Sequence, residues 1–253
     1  MSFQSRFGPA ADAYATFRPE YPPEILEHIL AQVPADQRNC AIDLGAGTGK
    51  ATQMLTPHFA RVIAVEPDAL MAAKLREGEP RAIVRESTAE EFDFPEWSAD
   101  LVNIAQALHW MDTQRVLGNV WRWLRPGGVL AVYGFGLPKA PEPLRGIVHG
   151  EFEANWNTFR DGRSRQRDFP QSAVRQASGM RVVEDTTVNA TRHMTPGEFA
   201  GFWRSTSYGS AYARSLADPK AYWGGLESRF REAWSEDKIP VAFNPYFLLA
   251  RKE

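Results

Sequence analysis

Between residues 40 and 134 the chain alternates short, nearly unbroken apolar runs with stretches of helical periodicity. This alternation limits the fold more than any other feature. "CAIDL" reads as a buried strand ending at Gly45, and "KATQMLTPHF" as a helix that opens from the glycines following it. "VIAVEP" is a second strand, stopped by Pro67. Asp68 is placed to cap a helix over "ALMAAKLREG". "AIVRES", "DLVNIAQAL" and "VLAVYGF" supply three more strands. Before the last of them, "TQRVLGNVWRWL" carries Val116, Leu117, Val120 and Leu124 on one helical face and "RPGG" ends the helix. Strands apolar on both faces and separated by helices indicate a doubly wound α/β sheet, mostly parallel and covered on both sides. Ligands of such sheets bind beyond the carboxyl ends of the strands, near the point where strand order reverses. An earlier helix is expected over "EILEHILAQV", introduced by Pro22 and Pro23.

After about residue 137 the rhythm changes. "EPLRGIVHGEFEANWNTF" reads as helical, "RDGRSRQRDFP" as a polar loop and "MRVVEDTTVNA" as a strand. Residues 191–240 read as helices interrupted at Gly209 and Pro219 and inserted before a closing strand, "VAFNPYFLLARK". With the segment from 141 to 175 they form an aromatic-rich cover. The expected organisation is 1–35 as a cofactor-covering segment with the first helix and 36–140 as the ligand-binding core. Residues 141–240 hold the remaining helices, the sixth strand and the cover, and 241–253 the last strand of the core sheet.

Composition narrows the function classes. A 253-residue chain with 43% hydrophobic residues can bury a full core. The net charge of −2 and an isoelectric point near 6.2 leave no broad basic surface for nucleic acid or anionic lipid. Cys40 is the only cysteine, so neither an intrachain disulfide nor a Cys-rich zinc site is available. The five histidines lack ligand spacing, and no metal is expected. No long apolar N-terminal core and no run of about 18 apolar residues is present, so a cytoplasmic protein without a membrane segment is expected.

The glycine turn "DLGAGTGK" separates three ligand readings. The phosphate-binding loop of NTPases requires GxxxxGK[ST], but Leu44 and Ala51 occupy two of its positions. A dinucleotide fingerprint requires GxGxxG, and here the third glycine comes one residue early, at Gly49. The remaining pattern is an acid followed by GxGxG, Asp43 to Gly49. A carboxylate beside the turn repels a pyrophosphate and favours an ammonium. S-adenosyl-L-methionine (SAM) carries an ammonium and no phosphate. Glu66, at the end of the second strand, stands where an acid grips ribose hydroxyls; on its own it is equally compatible with NAD.

The series "AIDLGAGTG", "VIAVEPDALM", "STAEEFDFPEWSADLV", "AQALHWMD" and "VWRWLRPGGVLAV" resembles the class I SAM-dependent methyltransferases in order and spacing over most of residues 7–136. "ADAYATFRPEYP" and "STSY" resemble a narrower group of small-molecule enzymes related to trans-aconitate methyltransferases. The resemblance implies a Rossmann-like sheet of seven strands, the last antiparallel, with a helical cover. It implies that Gly45, Ala46 and Gly47 run against the methionine part of SAM, and that Asp43 holds the turn and acts on the ammonium, directly or through water. Glu66 accepts from the ribose, Pro67 and Met71 wall the adenine, and Ala89 and Glu90 read its edge. Thr88 stands where many relatives carry Asp. Gln106 lies under the sulfonium, and Tyr14 and Arg18 cover the cofactor, with Arg18 suited to its carboxylate.

The expected reaction is an in-line methyl transfer to a small-molecule acceptor, a carboxylate being one candidate, with S-adenosyl-L-homocysteine as the product. Such chemistry depends chiefly on alignment and exclusion of water. A carboxylate is already ionised at neutral pH and needs no base; for a hydroxyl or amine, His109 is the candidate general base, next to Trp110 as a pocket wall. Trp203, Ser207 and Tyr208 are the expected acceptor contacts in the cover. An RNA or protein methyltransferase, a SAM-binding module without catalysis, and a dehydrogenase are the competing readings. Nothing in the sequence specifies an oligomeric state.

Overall fold

The computed structural model describes residues 11–160 and 169–253. Residues 1–10 of the expected N-terminal segment, and most of the stretch read as a polar loop at 160–170, lie outside them.

Helices α1 (Ala11–Phe17) and α2 (Pro23–Gln32) precede the first strand. The core then alternates β1 (Cys40–Leu44), α3 (Lys50–Leu55), β2 (Arg61–Val65), α4 (Ala69–Gly78), β3 (Ile83–Arg85), β4 (Ala99–Ala105), α5 (Thr113–Trp123) and β5 (Leu124–Gly134). Next come α6 (Leu144–Glu151), α7 (Phe169–Arg175), β6 (Met180–Thr187) and β7 (Thr191–Met194). The chain ends with α8 (Pro196–Arg204), α9 (Ser207–Arg214), α10 (Pro219–Ala233), β8 (Ile239–Ala242) and β9 (Tyr246–Lys252).

Seven strands form one sheet in the order β3-β2-β1-β4-β5-β9-β6. The first five are parallel, and β9 runs antiparallel between β5 and β6. All five residues of β1 are buried, as an interior strand with helices on both faces requires. α5 places Val116, Leu117, Val120 and Trp123 on its buried stripe, and its N-cap Asp112 accepts from the amide of Arg115. Asp68 caps α4 in the same way, accepting from the amides of Leu70 and Met71. α5 and α7 pack on one face of the sheet and α2 and α3 on the other. The strand order reverses between β1 and β4, so a crevice opens above their carboxyl ends.

The cover has its own apolar core, in which Trp156, Phe199, Trp203 and Phe230 are fully buried between α6, α8, α9 and α10. Its chain differs from the expected run of helices. Residues 191–194 form β7, which pairs antiparallel with β8 as a separate two-stranded sheet. The closing stretch is likewise two strands, broken by Asn244 and Pro245. β7 escaped the sequence reading because only Met194 of its four residues is buried. Such a strand has no apolar run to announce it.

α1 reaches across to the cover. A β-carbon at Gly201 of α8 would lie 2.4 Å from the Phe17 ring, so α1 packs directly on the α8 backbone.

Candidate active site

A large cavity of about 1240 Å³ lies over the carboxyl ends of the parallel strands. It is roofed by α1 and by the turn between α8 and α9.

Its floor begins at the glycine turn. Gly45 and Gly47 have φ of +66° and +59°, backbone that a side chain would strain. Gly45 is also spatially fixed: a β-carbon there would come within 2.5 Å of the Ala107 β-carbon. The amides of Gly45 and Ala46 both donate to the carbonyl of Val65, tying the turn to the end of β2. Glu66 completes the corner. Its Oε2 accepts from the amide of Gly47 at 2.8 Å and its Oε1 from the amide of Asp68 at 2.8 Å. Burial pushes the Glu66 carboxyl up to about 7, against the pull of those two amides.

Asp43, expected to hold the turn and act on the ammonium directly or through water, lies beneath the turn. It is fully buried there and does not line the cavity. Thr52 Oγ1 donates to one of its oxygens at 2.6 Å and Asn103 Nδ2 to the other at 2.8 Å. The carboxylate therefore locks β1, α3 and β4 together and cannot touch a ligand's ammonium directly. Burial raises it to about 6. Ala46 is also off the cavity wall. Trp203 is a correction of the same kind: only 1% exposed, it stacks on Trp156 at 5.1 Å inside the cover core. An aromatic run at helical spacing here forms the core rather than a pocket wall.

The other expected residues do converge. Tyr14, Arg18, Pro67, Met71, Ala89, Glu90, Gln106, His109, Trp110, Ser207 and Tyr208 line the same cavity as Gly45, Gly47 and Glu66. Glu90 Oε1 accepts from the amide of Asp112 at 2.6 Å, which fixes the loop ahead of α5. His109 and Trp110 sit in the tight turn Leu108–Trp110, their rings 4.8 Å apart. Arg18 bridges the roof: its guanidinium lies 5.1 Å from the centroids of both the Tyr14 and Phe202 rings and donates to the carbonyl of Ser205. Its Nε is buried and has no partner among the described residues. Burial raises the phenols of Tyr14 and Tyr208, the latter to about 12.

Several lining residues gave no sequence signal, among them Phe135, Leu137, Lys139, Arg145, Arg160 and Tyr246. They come from connections outside the ordered motifs. The break "FNPYF", where Asn244 takes a φ of +33°, was the one available hint that the chain turns there.

Comparison with known proteins agrees with this geometry. A family described as a methyltransferase domain matches residues 42–132. An uncharacterized methyltransferase of Mycobacterium tuberculosis is 44% identical over 126 residues, 50% of each chain. A solved structure assigned as a type II methyltransferase from Anaeromyxobacter dehalogenans superposes with a TM-score of 0.72 at 26% identity, covering 94% of this chain and 98% of that one.

Residues 42–132 match a methyltransferase domain, and the seven-stranded sheet has the Rossmann-like methyltransferase fold.

The sequence match spans about half the length of the curated relatives. A Haemonchus contortus phosphoethanolamine N-methyltransferase, solved with phosphomonomethylethanolamine and S-adenosylhomocysteine, shares the fold at a TM-score of 0.55 and 18% identity, over 100% of this chain and 60% of that one. The residues present fit the cofactor of the methyltransferase family. A glycine turn open to backbone approach, a carboxylate at the end of β2 and a buried guanidinium nitrogen without a partner face one cavity. Among the described residues, no group of three His, Cys, Asp or Glu side chains is placed to hold a metal, and no helix is long and apolar enough to cross a membrane.

Proposed function

We propose that the protein transfers the methyl group of SAM to a small-molecule oxygen acceptor, with a carboxylate as the favoured class. When bound, SAM supplies an electrophilic methyl group on a cationic sulfur. Gly45 and Gly47 offer their backbone to its amino-acid part, Ala46 ties the turn to Val65, and Asp43 braces the turn from below. Glu66 accepts from the ribose, Pro67, Met71, Ala89 and Glu90 hold the adenine, and Tyr14 and Arg18 close over the carboxylate end. Gln106 stands at the boundary with the acceptor, which His109, Trp110, Ser207 and Tyr208 surround.

The observation that carries this reading is the bond from the Gly47 amide to Glu66 Oε2 at 2.8 Å. It joins the glycine turn and the ribose acid into one wall. The charge pattern of the cavity supports an anionic acceptor. Its acidic lining residues, Glu66, Glu90 and Glu91, all follow β2 or β3, whereas of its five basic ones Lys139, Arg145 and Arg160 line the side beyond β5, with Arg18 at the end of α1 and Arg115 on α5. The resemblance of "ADAYATFRPEYP" and "STSY" to trans-aconitate methyltransferases points the same way. A carboxylate reaches the site already ionised, so His109 shapes the pocket and no proton has to be removed.

Calorimetry with S-adenosylhomocysteine tests the cofactor assignment, with micromolar binding expected and no binding by folded protein refuting it. Turnover of SAM with a panel of carboxylates, phenols, alcohols and amines tests the acceptor class. Methylation confined to amines would defeat the oxygen-acceptor reading.

A further inference from the structure

The two ends of the cavity meet over β4 and β5, and the chain does something unusual there. Gln106, the residue after β4, takes a φ of +57°, a left-handed backbone that a glutamine rarely adopts. Its amide donates to the carbonyl of Tyr133 at 2.8 Å and its Nε2 to the carbonyl of Phe135 at 2.9 Å. These two bonds fix the side chain and leave Oε1 facing away from Phe135. Directly opposite Gly134 in the antiparallel register stands Tyr246, the first residue of β9. A β-carbon on Gly134 would lie 2.9 Å from Gln106 Oε1 and 3.0 Å from the Tyr246 hydroxyl. The missing side chain thus lets an amide oxygen and a phenol oxygen close on one point from two strands. Both residues line the cavity, and the Tyr246 hydroxyl makes no hydrogen bond to any described residue.

Phe135, Ala140, Phe202 and Phe243 line the cavity with Tyr246, together with Asn244 and with Thr187, which pairs with Tyr246 from β6. A hydroxyl that faces the cavity without a protein partner keeps its proton available to a bound ligand. We infer that Tyr246 is an acceptor-binding residue, its hydroxyl donating a hydrogen bond to the oxygen group that receives the methyl, with Gly134 as the gap that lets Tyr246 and Gln106 approach. This rests on the proposed function. Burial raises the Tyr246 phenol strongly, so it stays protonated and acts as a donor rather than a base. A single donor to an ionised oxygen changes affinity by roughly tenfold or more.

The test uses the full chain. The oxygen acceptor turned over fastest in the panel is titrated calorimetrically into protein saturated with S-adenosylhomocysteine. Tyr246→Phe is expected to weaken acceptor binding at least tenfold, to leave S-adenosylhomocysteine affinity within twofold and to keep the melting temperature of the parent. Gly134→Ala, which pushes a methyl group between the two side chains, should lower kcat about tenfold or more with cofactor affinity again retained. Unchanged acceptor affinity in Tyr246→Phe overturns the inference, as does a wild type that binds S-adenosylhomocysteine but methylates no oxygen acceptor. A wild type that fails to bind S-adenosylhomocysteine overturns the proposed function as well, so the two failures are distinguishable.

Discussion

The two ends of the cavity are built by different means. Over β1, β2 and β3 the wall is backbone and short-range structure from one stretch of chain: the turn at Gly45 and Gly47, the acid at Glu66, the cap at Asp68 and the segment at Ala89 and Glu90. Over β5 and β9 the wall is side chains from distant pieces, with Trp110, Phe135, Arg145, Tyr208 and Tyr246 each brought by a different connection. The first kind of wall is dictated by local backbone geometry. The second exists only once the cover core around Trp156 and Trp203 has packed.

That contrast predicts which changes damage what. The largest effect is expected from Trp203→Ala. Removing a fully enclosed indole from the cover core should cost about 3–5 kcal/mol in urea denaturation. A loss under about 1 kcal/mol, with a raised acceptor KM, would return Trp203 to the pocket wall. Next is Gly45→Ala. The left-handed backbone and the clash with Ala107 together cost about 3 kcal/mol, which should weaken S-adenosylhomocysteine binding roughly a hundredfold while leaving the cover intact. Binding within threefold of wild type would show that the turn does not meet the cofactor.

Glu66→Ala should weaken the same ligand about tenfold to a hundredfold through lost charge-assisted hydrogen bonds, about 1.5–3 kcal/mol, again by calorimetry. Taken per pH unit and per group, the smallest effect is a pH dependence of stability set at the cofactor end. Glu66, raised to about 7, and Asp43, raised to about 6, hold protons in the folded chain that the unfolded chain releases near the ordinary carboxylate range. The folded state therefore binds more protons between about pH 4 and 7, and these two groups make stability fall as pH rises through that window, by at most about 1.4 kcal/mol per pH unit for each. The slope should flatten in Asp43→Asn and Glu66→Gln. An unchanged slope in both variants would mean that neither carboxyl is held up by burial.

The same contrast explains what was legible in the sequence. The five parallel strands and their helices could be read because the strands carry apolar runs and the helices between them a helical repeat, with α4 capped by Asp68. Glu66 could be placed because it directly follows a strand. From the sequence, Asp43 is expected to hold the turn and act on the ammonium; nothing in "AIDLG" reveals that Thr52 and Asn103 close over it. The acceptor end was harder. Trp203 and Tyr208 are both aromatic and only five positions apart, yet one is core and the other lines the cavity, a distinction set by the turn at Ser205 and Thr206. Tyr246 lies in a stretch that reads simply as a closing strand, and only its pairing opposite Gly134 brings it to the cavity.

The seat of Phe17 against Gly201 adds a constraint of another kind. Both helices line the cavity, α8 with Phe202 and α1 with Tyr14 and Arg18, which the proposed function places on the acceptor and over the cofactor respectively. Because the Phe17 ring rests on the α8 backbone with no side chain at Gly201 to hold it off, any remodelling of α8 to admit a different acceptor shifts the support of the cofactor roof. Acceptor preference and cofactor grip are thereby made to evolve together.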